Sequence, residues 1–391
     1  MTERTAPPAA EGHTTIPYIP GLADVPAARS SICFIDGEQG ILEYRGYPIE
    51  ILAERSTFEE TTYLLLWGKL PNRTELEKFS RDLATNRDVR FRLIDLLKCL
   101  PDTGHPMEAL QAAIAALGMF YPDRDPMNPT DRYNSTVRII AKAPTLVAAY
   151  HRLSHGKEYI PPKEDLTHAE NFLYMVHGEM PEADVARVMD ICFILHAEHS
   201  MNASTFAGRV TASTLADPYT VVTSAIGALT GPLHGGANEQ VIHMLQQIGD
   251  VEKVRPYIED LIQRKQKIMG VGHRIYKVKD PRALVLQKLA AQMIAKRGAD
   301  PLLAVAQEVE KVVAEHLAAK KIYPNVDFYS GVVYEAMGMP SSLFTPVFAI
   351  ARMAGWLAHW LEQLEDNRIY RPSQIYTGTH DERYIPIEER V

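Results

Sequence analysis

The feature that most constrains this chain is a helical periodicity that scarcely lets up after Thr57. FEETTYLLLWGKL, HPMEALQAAIAAL, STVRIIAKAPTLVAAYHRL, ENFLYMVHG and ADVARVMDICFILHAEH all carry apolar residues three and four apart. So do KVRPYIEDLIQRKQKI, DPRALVLQKLAAQMIAKRG, DPLLAVAQEVEKVVAEHLAAKK and SSLFTPVFAIARMAGWLAHWLEQLEDN further on. That spacing lines apolar side chains along one face of a helix, which must then be buried against another element. Nearly the only strand signal is SSICFIDGEQGILEYRG at 30–46, two β-prone runs around a glycine-containing turn, which reads as a hairpin. The expected fold is all-α with a minor N-terminal β-hairpin. No tandem repeat converts the helices into a solenoid.

A chain of 391 residues exceeds one core of ordinary size, so two domains, or one large domain with a smaller one inserted, are expected. Apolar residues at 46% and charged residues at 23% belong to a globular protein rather than a disordered or membrane-embedded one. A net charge of −8 and the lack of a long basic run argue against a nucleic-acid binder. Cys33, Cys99 and Cys192 lie far apart, with no C-x-x-C pair, so neither a disulfide framework nor a zinc ribbon is indicated. MTERTAPPAAEGHTTIP has no apolar signal core and no stretch is apolar enough to span a membrane, so a cytoplasmic protein is expected, with residues 1–16 as a mobile segment.

Four irregular stretches interrupt the helices: AEHSMNAST (197–205), GPLHGGANE (231–239), MGVGHRIYKVKDPRA (269–283) and YPNVDFYSG (323–331). Loops held on a rigid scaffold tend to carry chemistry. Glycines around His234 allow a ligand or another chain segment to come close. Each residue also has a plain structural reading. His199 fits a cation at a helix C-terminus, His234 and His273 fit loop or turn histidines, and Asp327 fits a turn or helix cap.

Several chemistries drop out on spacing. HAEH places His196 and His199 three apart rather than four, with the glutamate misplaced for a zinc hydrolase. GVG at 270–272 lacks the third glycine of a dinucleotide fingerprint and follows no strand signal. G-x-S-x-G and Walker A patterns are absent from the sequence. Two histidines and an aspartate remain, without an obvious covalent nucleophile.

Taken in order, these segments resemble those of the citrate synthase family. The resemblance runs from PGLADVPAARSSICFIDGEQGILEYRG through EHSMNASTF, GPLHGGANE, MGVGHRIYKVKDPRA and NVDFYSG to FTPVFAIARMAGW and DNRIYRPSQIY, nearly the whole chain. It implies a large helical domain at 17–230 and 345–391, a smaller inserted domain at 231–344 on the CoA side of the site, and a homodimer. The reaction implied joins the methyl carbon of acetyl-CoA to the ketone of oxaloacetate and hydrolyses the thioester to citrate and CoA. It opens the tricarboxylic acid cycle and needs no metal or redox cofactor.

By the same resemblance Asp327 is the base that takes the methyl proton, His234 hydrogen-bonds the thioester oxygen, and His273 donates to the oxaloacetate carbonyl. His199, Arg282, Arg352 and Arg371 bind the carboxylates, with Arg371 supplied by the other subunit. Arginine's planar fork suits that task. Arg352 interrupts the apolar run FAIARMAGW, where an unpaired charge would be costly, and a buried anion resolves the conflict. CoA recognition falls mainly on the main chain of Met269, Gly270, Val271 and Gly272, with Arg274 and Lys277 as candidate phosphate contacts.

The alternatives are a 2-methylcitrate synthase using propionyl-CoA, a catalytically silent binding or assembly protein on the same fold, and a metal-dependent hydrolase built on the histidines. One methylene changes selectivity in an apolar pocket by only about 1–3 kcal/mol. The shorter, non-NADH-regulated type of enzyme is expected, and the sequence leaves association of dimers into larger particles open.

Overall fold

The computed structural model describes residues 18–297 and 301–390, so the expectation for residues 1–16 lies outside the described residues. It divides into two compact units. One comprises the described residues up to Ser30 together with those from Tyr370 onward, and the other comprises the described residues of Ser31–Ile369. In the first, Tyr370 Oη donates to the Ala27 carbonyl at 3.0 Å, joining the two chain ends that form it.

The larger unit opens with a three-stranded antiparallel sheet: β1 (Cys33–Asp36), β2 (Ile41–Tyr44) and β3 (Tyr47–Pro48). The expected hairpin is present with Asp36 opposite Ile41. The added third strand arises because Arg45 and Gly46 both take positive φ, turning the chain so that Tyr47 pairs with Tyr44. Arg45 was not a turn signal in the sequence, which is why β3 was missed.

Sixteen α-helices follow among the described residues. The first ten are α1 (Ile49–Arg55), α2 (Phe58–Trp67), α3 (Arg73–Thr85), α4 (Phe91–Cys99), α5 (Pro106–Met119), α6 (Pro129–Ser154), α7 (His168–His177), α8 (Ala183–His196), α9 (Ala203–Ala212) and α10 (Pro218–Thr230). The rest are α11 (Ala237–Ile248), α12 (Val251–Gln263), α13 (Pro281–Arg297), α14 (Pro301–Leu317), α15 (Val326–Ala336) and α16 (Phe344–Glu365).

Two helices form the centre. Residues Phe344–Trp360 of α16 are all buried, as a helix that is apolar on every side requires, and it packs on α2, α6, α8, α9 and α10. In α6, Ile139–His151 are likewise buried despite Pro144 inside the helix. A second group packs α13 and α11 on α15, and α12 on α14. Each of the four irregular segments sits at a junction of these helices. Asn202 caps α9 by accepting from Thr205 N at 3.1 Å, and Asn325 caps α15 by accepting from Asp327 N at 2.9 Å.

Candidate active site

His234 lies in the turn between α10 and α11. Its backbone is held by His234 N donating to the Gly231 carbonyl and Gly235 N to the Leu229 carbonyl, both at 2.9 Å. A Cβ on Gly235 would stand 2.5 Å from that Leu229 oxygen, so the glycine answers the approach of another chain segment. The imidazole Nε2 accepts from the Ser204 amide at 3.3 Å and lies 2.9 Å from Ser204 Oγ. Ser204 Oγ in turn donates to Asn202 Oδ1 at 2.7 Å and accepts from Trp356 Nε1 at 3.1 Å. An amide hydrogen facing Nε2 leaves the ring proton on Nδ1. Burial, with Arg352 adding to it, lowers the His234 pKa to about 4, so the ring is neutral at physiological pH.

His273 is arranged the opposite way. Its Nδ1 accepts from the amides of Ile275 and Tyr276 at 3.0 and 3.2 Å, which leaves its proton on Nε2. Burial and then Arg282 bring its pKa down to about 4 against the opposing pull of Asp280. The His199 ring lies 5.3 Å from that of His273 and 5.7 Å from that of Tyr276, centre to centre, and His199 Nε2 meets Tyr276 Oη at 3.2 Å. Burial drives His199 well below the ordinary histidine range, with Arg282 next, so the capping-cation reading fails. The residue stands beyond the end of α8, buried and neutral.

Asp327 sits in the first turn of α15 rather than at the cap, which is Asn325. Among the described residues, no protein group donates to its carboxylate. Burial raises its pKa to about 6, opposed by the positive field of Arg282 and Arg352 and reinforced by Asp280. A carboxylate poised there is a base near neutrality.

The arginines differ. Arg282 is buried and grips Asp280 in a fork, Nη2 to Oδ2 at 2.8 Å and Nε to Oδ1 at 3.1 Å. Burial works against its charge, but Asp280 outweighs it and raises the pKa. Arg352 is only 1% exposed, yet its single hydrogen bond to protein among the described residues is Nε to the His196 carbonyl at 2.7 Å. Its two terminal nitrogens are free to grip an anion. Burial lowers its pKa and Glu198 opposes this. That fully buried glutamate accepts from His359 Nε2 at 3.0 Å, while His359 Nδ1 accepts from Arg209 Nη1 at 3.0 Å. Arg371 belongs to the smaller unit, where it is exposed and donates to the Pro372 carbonyl at 3.0 Å.

The segment expected to recognise CoA is folded onto the start of α15. Asn325 N donates to the Gly270 carbonyl at 2.9 Å, Gly272 N to the Tyr323 carbonyl at 2.8 Å, and Asn325 Nδ2 to the Gly272 carbonyl at 2.9 Å. Val271 bridges Pro324, Met269 is half-buried, and Arg274 and Lys277 are exposed. These bonds tie the loop of His273 to the turn that carries Asp327. Sequence reasoning missed Ser204, Tyr276, Asp280 and Glu198, although all four lie inside or beside the quoted segments. Only their tertiary partners reveal what they do. Among the described residues, no three His, Cys, Asp or Glu side chains gather as a metal ion would require, and no helix is long and apolar enough to cross a membrane.

The family model of the citrate synthase C-terminal domain matches residues 21–373. The chain belongs to the citrate synthase family. A citrate synthase of Synechocystis is 57% identical, covering 95% of this chain and 94% of that one. The crystal structure of citrate synthase from Pyrobaculum aerophilum superposes with a TM-score of 0.90 at 42% identity, covering 99% of this chain and 100% of that one. The structure of the ternary complex of carboxymethyl coenzyme A and oxaloacetate with citrate synthase from Thermoplasma acidophilum has a TM-score of 0.90 at 33% identity and covers 94% of this chain and 98% of that one. The chain is an enzyme of that family's reaction, condensing acetyl-CoA with oxaloacetate to give citrate and CoA.

Proposed function

We propose that Asp327, His234 and His273 divide the condensation between two substrates. Asp327 removes a proton from the acetyl methyl group while His234 Nδ1–H donates to the thioester oxygen, holding the enol or enolate. The new carbanion-like carbon attacks the oxaloacetate ketone, whose oxygen receives a hydrogen bond and then a proton from His273 Nε2. Water then cleaves the citryl thioester and releases CoA. What carries this reading is the pairing of two neutral imidazoles, one donor at Nδ1 and the other at Nε2, with a carboxylate whose pKa is about 6.

Arg352 and Arg282, with His199, take the oxaloacetate carboxylates. The free terminal nitrogens of Arg352 support this most directly, and Arg282 stays charged through Asp280. Met269, Gly270, Val271, Gly272, Arg274 and Lys277 take CoA. Arg371 completes the site of the partner in a homodimer. The division into 17–230 with 345–391 and an inserted 231–344 is supported by its breaks, which fall at the end of α10 and the start of α16. Closure of one part on the other would exclude water and delay enolisation until oxaloacetate is bound. No cofactor is required, and the free thiols Cys33, Cys99 and Cys192 suit the reducing cytoplasm. Measuring kcat/KM for acetyl-CoA and propionyl-CoA tests the substrate assignment: acetyl-CoA is expected to be preferred, and preference for propionyl-CoA would replace it.

A further inference from the structure

The loop that carries His273 meets a second segment besides the start of α15. The turn between β1 and β2 reaches it, and that turn is already rigid, because Asp36 Oδ1 accepts from the amides of Glu38 and Gln39, both at 2.9 Å. From its tip, the Gly37 carbonyl accepts from Lys277 N at 2.8 Å. A Cβ on Gly37 would stand 2.2 Å from the Ile275 carbonyl oxygen and 2.8 Å from its carbon, distances that no side chain tolerates against backbone. Gly40, at φ +70°, is also tight, since a Cβ there would lie 2.7 Å from Val278 Cγ2. Glu38 pairs with Lys321 at 2.8 Å, tying the same turn to the chain just ahead of α15.

Ile275 is therefore held at both ends of one residue. Its carbonyl rests against Gly37, and its amide donates to His273 Nδ1 at 3.0 Å. We propose that the β1–β2 turn is the positioning element of His273: by clamping Ile275 to Val278 through Gly37 and Gly40, it keeps two amides on Nδ1 and so keeps the donor proton on Nε2, facing the oxaloacetate carbonyl. Gly37 and Gly40 are positioning residues, since they act only through the loop. The inference rests on the assignment of His273 as the carbonyl donor.

The test is the infrared carbonyl band of enzyme-bound oxaloacetate labelled with carbon-13 at the ketone, recorded for wild type, His273→Ala and Gly37→Ala, with kcat and the melting temperature of each. The expected result is a polarised, shifted band in wild type, loss of that shift in His273→Ala, which removes the donor, and a much reduced shift in Gly37→Ala with kcat lower on the order of 10²-fold, the cost of misplacing a reacting group by about 1 Å. A full shift in Gly37→Ala with the shift lost in His273→Ala overturns the role of the turn alone. A full shift in His273→Ala overturns the assignment of His273 and this inference with it. If Gly37→Ala fails to fold, Gly40→Ala serves instead. It should also weaken the shift, and Val278→Ala in that background should restore part of it by removing the methyl group the new Cβ meets. Failure of Gly40→Ala to change the band overturns the proposal.

Discussion

Ser204 and His234, thirty residues apart in sequence, meet so that the backbone amide of the one points at Nε2 of the other at 3.3 Å. The contact decides which imidazole nitrogen carries the proton. Because the amide imposes this, the Ser204 side chain is dispensable for it. Ser204→Ala is expected to keep kcat within about tenfold of wild type, whereas His234→Ala should lose about 10²–10³, the usual cost of one such donor. Measuring kcat and the exchange of acetyl-CoA methyl protons with solvent distinguishes them, and equal losses in the two variants would contradict the amide's role.

Asp327 should set the acid limb of the pH profile. It must be ionised to accept a proton, and its pKa is about 6, whereas His234 and His273 stay neutral down to about 4. The rate should therefore fall as pH drops through about 6. Asp327→Ala should abolish both methyl-proton exchange and citrate formation.

The same shift carries a stability consequence. The folded pKa of Asp327, about 6, lies above its unpaired value of 3.8, so the folded state binds more protons between them and stability falls as pH rises through that window. Asp327→Asn removes the charge. It should leave the melting temperature nearly unchanged near pH 4 and raise it by a few degrees above pH 7, at the expense of activity. Thermal melts at the two pH values check this, and a gain of equal size at both would show that charge burial is not the cause.

Arg352→Leu should separate binding from folding. A buried guanidinium without an anion contributes little or nothing to stability, and replacing it by an apolar side chain is often neutral. Oxaloacetate, in contrast, loses a charge-assisted pair worth about 1.5–3 kcal/mol, so its KM should rise roughly 10- to 150-fold. The variant should melt near the wild-type temperature without ligand and gain much less from saturating oxaloacetate. Undiminished protection by oxaloacetate would remove Arg352 from the site.

Arg371 is tested by mixing subunits. Arg371→Ala and Asp327→Ala homodimers should each be nearly inactive, since every site lacks one group. In the mixed dimer one site carries both defects and the other neither, so tagged, purified heterodimers should regain about half of the wild-type activity. A heterodimer as inactive as its parents would mean that Arg371 does not cross the interface.

The periodicity of three and four in runs such as ADVARVMDICFILHAEH was enough to define a mainly helical protein, because amphipathic spacing is local information that burial must respect. His234, His273 and Asp327 all lie where helical pattern breaks, and the breaks coincide with helix ends in the structure. Arg352 declared itself as a charge inside FAIARMAGW, and it is buried with two nitrogens to spare. What the residues could not announce was their state. Whether His199 is a surface cation or a buried neutral ring depends on Tyr276 and Arg282, which are some eighty residues away. The tautomers of His234 and His273 depend on amides of Ser204, Ile275 and Tyr276 that every sequence possesses and only one fold aims. The glycines at 37 and 40 looked like turn punctuation, and only the approach of the His273 loop reveals why a side chain is refused there. Sequence specifies local conformation and the chemistry available, whereas protonation and orientation come from the field and backbone groups of distant segments, which exist only once the chain has packed.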